Sequence, residues 1–109
     1  TIYTPSTVQT LAAATALLAN ATVVQINCAG NVTSTAAPFI ADGQDGQVLT
    51  IINVDTADTF TISDQGTLAS SNLRLVSTTI ALGSRDSIQL TYNSTTGDWV
   101  QTAPVTNVI

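Results

Sequence analysis

The sequence predicts an all-β chain, an antiparallel β-sandwich or jelly-roll-like barrel with one short helix near its N-terminus. Three observations predict it. Between Phe39 and Ala103, short apolar runs (48–54, 60–62, 73–76, 80–82, 88–92 and 99–100) alternate at regular intervals with clusters of Gly, Asp, Asn or Ser. That punctuation belongs to antiparallel strands joined by tight turns. The composition agrees: twenty Thr stand against no Lys, Glu, His or Met. β-branched side chains are stiff at χ1 and suit a pleated surface, whereas Glu, Lys and Met favour helices. The third observation is one segment, 6–20, whose apolar spacing is helical.

The elements follow in order. Residues 1–5 read as an extended N-terminal arm. Ser6-Thr7-Val8-Gln9 has the form of a capping box, in which the Ser6 hydroxyl and the Gln9 side chain satisfy free backbone donors reciprocally. Val8, Leu11, Ala12, Thr15, Leu18 and Ala19 recur at helical spacing up to a stop at Asn20. The β-domain spans 22–103. Its first strand is 22–27, and 32–39 is a poorer second strand or a linker. Residues 41–46 form a turn, with Gly supplying positive φ and Asp bonding nearby amides. The near-continuous apolar run 48–54 predicts a central strand buried on both faces, the most buried of all. It forms a hairpin with 59–63, where Phe60 and Ile62 share a face. Leu73 and Leu75 alternate with Arg74 and Val76, Ile80 and Leu82 precede a turn at Gly83, and Ile88, Leu90 and Tyr92 share a face. A closing strand runs over 99–102, and 104–109 is a tail. The core is expected to hold Ile51, Phe60, Ile62, Leu90, Tyr92 and Trp99.

Composition also limits function. A single domain of 109 residues buries only about two-thirds of its unfolded surface, so a partner adds useful stability. Net charge is −5 from seven Asp against Arg74 and Arg85. Without a basic patch the chain is not expected to bind nucleic acid, and an anionic membrane surface repels it. A surface so low in charge, on so hydrophobic a chain, points to self-association or to cover by a larger assembly, because interface cores are depleted of charge. Cys28, the single cysteine, excludes an intrachain disulfide and is expected to be a buried, inert thiol. Three sequons, at Asn20, Asn31 and Asn93, are chance products of a Thr-rich chain.

No motif for catalysis emerges, and no enzyme, cofactor or metal site is expected. Ser-His-Asp chemistry fails for want of His. Asp42, Asp45, Asp55 and Asp58 could offer oxygens to calcium, but their spacing matches no dedicated calcium loop and Asp is a common turn residue. Tyr92 and Trp99 face each other across the last turn; they are candidates for sugar stacking, yet their places in alternating strands favour burial. Arg85 and Asp86 are adjacent and suit either a locked turn or a pairing across a subunit interface.

The order of parts, GQVLTIIN (46–53), TFTISD (59–64), LRLV (73–76), TIALGSRDSIQLTYN (79–93) and a closing GDWVQ (97–101), resembles small β-sandwich domains of tailed-bacteriophage virion proteins. Such domains occur in capsid decoration proteins and at tail-fibre tips. The resemblance implies a structural virion protein on the outer capsid surface, a decoration or cement protein acting as a homotrimer on the major capsid protein of a phage head. The alternative it implies is a receptor- or glycan-binding tip domain of a tail fibre. The interaction residues expected are Thr1, Ile2, Tyr3, Thr4 and Pro5 of the arm, with Arg85 and Asp86.

Overall fold

A computed structural model describes residues 7–106. The architecture is all-β, with nine strands: β1 (Gln9–Leu11), β2 (Val23–Cys28), β3 (Val32–Thr33), β4 (Val48–Asn53), β5 (Phe60–Ser63), β6 (Leu73–Arg74), β7 (Thr79–Leu82), β8 (Ser87–Asn93) and β9 (Asp98–Gln101). They form a curled, mixed six-stranded sheet in the order β1-β2-β4-β8-β9-β6 and a three-stranded sheet in the order β3-β5-β7. Side chains from both sheets share one core cluster.

The expectation of purely antiparallel pairing is corrected. β1 with β2, β2 with β4, β3 with β5, and β6 with β9 are all parallel. Parallel neighbours need long crossovers, and residues 12–22 and 29–47 supply them without a helix. The chain winds round three times. Its rungs stack β1, β2 and β4 on one side and β3 under β5 on a second. On a third side Leu17 bridges Ile40 in parallel, and the Phe39 N–H donates to the Ser71 carbonyl at 2.9 Å. Only then do β7, β8 and β9 close the far end in antiparallel fashion, on β5, β4 and β8 respectively.

Among the described residues there is no helix, so the helix expected over 6–20 is also corrected. Gln9–Leu11 is a strand, and Leu11 and Leu17 point into the core while Val8, Ala12 and Leu18 are exposed. An isolated helix of this length is marginal in water, whereas the edge of β2 offers backbone partners and a core for two leucines. Gln9 does not complete a capping box. Its carboxamide accepts the Leu18 N–H at 2.9 Å and donates to the Leu18 carbonyl at 2.8 Å, which ties the first rung closed.

Two further expectations change. β4 is not buried on both faces: Leu49, Ile51 and Asn53 point inward, while Val48, Thr50 and Ile52 face outward and are only partly covered. β9 and β5 are more completely buried. Nor do β4 and β5 form a hairpin, since they belong to different sheets. The turn between them is built to change sheets. The buried Asn53 carboxamide donates to the carbonyls of Asp58 (3.0 Å) and Leu82 (2.8 Å) and accepts the Asp55 N–H at 3.0 Å. The Asp55 carboxylate takes the N–H groups of Ala57, Asp58 and Cys28.

Candidate interaction surface

Period two in β2, β4, β8 and β9 sorts side chains onto an inner and an outer face. Ile26, Leu49, Ile51, Ile88, Leu90, Tyr92 and Trp99 go inward and are buried, as are Phe60 and Ile62 from the smaller sheet. The registers align the outward residues in rows: Val23, Thr50 and Gln89; Ile52 beside Gln25 and Ser87; Val48, Thr91, Val100 and Arg74. Arg74 is the one charged residue in these rows. The result is a broad outer face of Val, Ile, Thr, Gln and Ser, in which Val23 and Val48 are exposed. Thr91 and Thr102 hydroxyls meet on it at 3.1 Å.

Two shallow depressions border this face. One, about 280 Å³, lies between Thr91, Tyr92, Asn93, Val100, Thr102 and the loop at Asp45 and Gly46. The other, about 340 Å³, is lined by Val76, Gln101, Thr102, Ala103 and Pro104, with Val76 76% exposed. Only the first has an aromatic residue in its wall, Tyr92, and that side chain is 6% exposed. Tyr92 and Trp99 are opposite each other in register, with ring centroids 5.3 Å apart and edge to face, but both are buried and Trp99 is fully so. The Trp99 indole N–H donates to the Ala41 carbonyl at 3.1 Å. The loop at 41–47 lies so close to the ring that a Cβ on Gly43 would sit 2.7 Å from Cζ2. Burial, then the Asp42 carboxylate, pushes the Tyr92 hydroxyl pKa up.

Most of the acidic residues serve turns. Asp45 accepts the Ser94 N–H at 2.9 Å, Asp64 those of Gly66 and Leu75, and Asp86 that of Gly83 at 2.9 Å. Among the described residues no three His, Cys, Asp or Glu side chains come together to hold a metal ion. Asp86 is buried, so it locks the turn before β8 and presents nothing to a partner; its neighbour Arg85, at φ 67°, carries an exposed side chain beside the Ser87 end of the outer face. The expected contacts Thr1, Ile2, Tyr3, Thr4 and Pro5 lie outside the described residues. Cys28 is buried, and burial, followed by the nearby Asp55 and Asp58, raises the pKa of its thiol.

Sequence reasoning missed two buried polar centres. Asn53 had a visible signal, being the polar member of the inward series Leu49, Ile51, Asn53. Asp98 had none: its fully buried carboxylate is met by Arg74 Nε at 2.7 Å, the Thr96 hydroxyl at 2.7 Å and the Gln65 amide at 3.3 Å, from three separate places in the chain.

No family model matches this chain, nor does any curated protein or solved structure.

Proposed function

We propose that this chain is a structural, non-enzymatic virion component: a capsid decoration protein that sits as a homotrimer on the outer surface of a phage head, against its major capsid protein. The observation that carries the reading is the outer face of the six-stranded sheet. It is built of Val, Ile, Thr and Gln along β2, β4 and β8, and its charge is confined to the Arg74–Asp98 pair at one corner. Interface cores are depleted of charge in this way, and a small soluble domain seldom leaves such a face uncovered. The resemblance of the 46–101 pattern to phage virion domains supplies the biological setting. In this reading the two sheets act as the layers of a small sandwich, Arg85 flanks the contact, and Thr1 to Pro5 are further contact residues.

Contacts of this kind are apolar and hydrogen-bonded, so attachment should withstand salt that screens surface charge pairs. The test is co-sedimentation with intact phage heads at low and high salt, for the parent and for Thr50→Lys and Thr91→Lys on the outer face. Attachment at both salts that the lysine variants lose supports the proposal. No attachment at any salt sinks it, and attachment abolished by moderate salt overturns the proposed contacts.

A second reading, the receptor- or glycan-binding tip of a tail fibre, is favoured by the stacked parallel rungs, a geometry suited to ending a repetitive shaft. Depletion of the protein from solution by host cells instead of heads would select it.

A further inference from the structure

All nine charged residues fall between Asp42 and Asp98, and residues 1–41 carry none. In the fold this segregation becomes spatial. The first two rungs are neutral, and every charge sits on the third rung or on the antiparallel strands that close the stack. The neutral end is also open. β1 has β2 on one side and, among the described residues, no strand on the other. The Leu11 carbonyl accepts the Ala29 N–H at 3.0 Å on the β2 side. Because successive residues of a strand direct their N–H and C=O to opposite edges, the Thr10 pair points to the open edge. Around it Val8 and Leu18 are exposed, Leu18 at 63%. Natural edge strands are guarded by charge, proline, a bulge or shortness; Gln9–Leu11 carries no charge, proline or bulge, and only its three-residue length limits it.

We infer that this end is a self-association surface, at which β1 pairs antiparallel with β1 of a second copy about a twofold axis. Thr10 lies on the axis and exchanges both backbone hydrogen bonds with its mate, and Val8 of each copy packs near Ala12 of the other. A second copy is the occupant that the charge distribution favours. Two molecules of net charge −5 repel where their acidic turns meet, but end to end they bring together the neutral rungs, with Asp55, which accepts the Cys28 N–H, one strand in from the edge. An edge strand read antiparallel against itself is self-complementary, as an isologous contact requires. The inference does not depend on the virion reading. If copies also form a trimer by another face, the twofold contact joins two trimers, so the copy number is even in either case.

The experiment is light scattering across a dilution series of the full chain, with amide exchange at Thr10 followed by NMR. Three variants are compared: Thr10→Pro, which deletes the outward N–H where proline is tolerated in an edge strand, and Val8→Lys and Leu18→Asp, which charge the neutral end. The parent should have twice the mass of each folded variant, and its Thr10 amide should be protected only in the paired form. The two charged variants keep the test alive if the proline variant does not fold. Equal masses for parent and variants, an odd copy number, or a Thr10 amide protected only by a different protein would each overturn the inference.

Discussion

Trp99 gives the sharpest test of how this fold is held together. Its side chain is fully buried, stands edge-on to Tyr92 at 5.3 Å and donates to the Ala41 carbonyl. Replacing a buried aromatic by alanine costs about 3–5 kcal/mol in transfer and cavity terms. Within that sum, the edge-to-face pair accounts for about 0.5–1.5 kcal/mol, and the orphaned Ala41 carbonyl adds about 1 kcal/mol. Trp99→Ala should therefore lose about 4–6 kcal/mol by these terms, a large share of the roughly 5–15 kcal/mol available to a domain. Trp99→Phe keeps a ring against Tyr92 and gives up the donor and the outer ring, for about 2 kcal/mol by the same cavity and hydrogen-bond terms. Urea unfolding followed by circular dichroism measures both, since Trp99 is the only tryptophan and its fluorescence vanishes with it. Variants that unfold within about 0.5 kcal/mol of the parent, the range of an ordinary surface change, would refute this account of the core.

Further outcomes follow from neighbouring contacts. Gly43→Ala forces a Cβ against the Trp99 ring and should cost about 1–3 kcal/mol as overpacking; in the Trp99→Phe background the cost should shrink, and a double-mutant cycle in urea reads the coupling. Asn53→Ala leaves the Leu82 and Asp58 carbonyls and the Asp55 N–H without their partner, for about 3 kcal/mol, while an unchanged melt would show that water replaces the carboxamide freely. Backbone N–H groups lower the pKa of Asp45 (from Ser94) and of Asp55 (from Ala57, then Asp58 and Cys28). Their stabilisation is present above the ordinary carboxylate pKa of about 4 and disappears as pH falls through the lower folded values. An acid titration of Asp55→Asn should accordingly be flatter than that of the parent. Burial raises the Cys28 pKa, so the thiol should react with a disulfide reagent at neutral pH only at the rate of unfolding. The thiol's share of stability should fall as pH rises past about 8.5, where the unfolded chain ionises first. Fast labelling of the folded protein would contradict its burial.

By itself the sequence determined the β character of the chain, the positions of most strands and which residues of each face inward. Those properties are local. Thr and Val stiffen the backbone, Asp and Gly mark turns, and alternation in Ile88, Leu90 and Tyr92 sets a face whatever the strand pairs with. Tertiary structure alone decided the partners. A helical spacing over 6–20 yielded to the edge of β2, because a parallel neighbour and a core for Leu11 and Leu17 outweigh the propensity of a short isolated helix. The hairpin expected for 48–54 and 59–63 gave way because Asn53 and Asp55 steer the chain into the second sheet. The same holds for function. Val48, Thr50 and Ile52 read as one side of a doubly buried strand, and the fold leaves them on an outer face that nothing within the described residues fully covers. Pairing, register and cover depend on contacts between residues far apart in sequence, and one chain's local pattern does not encode which of several compatible edges will meet.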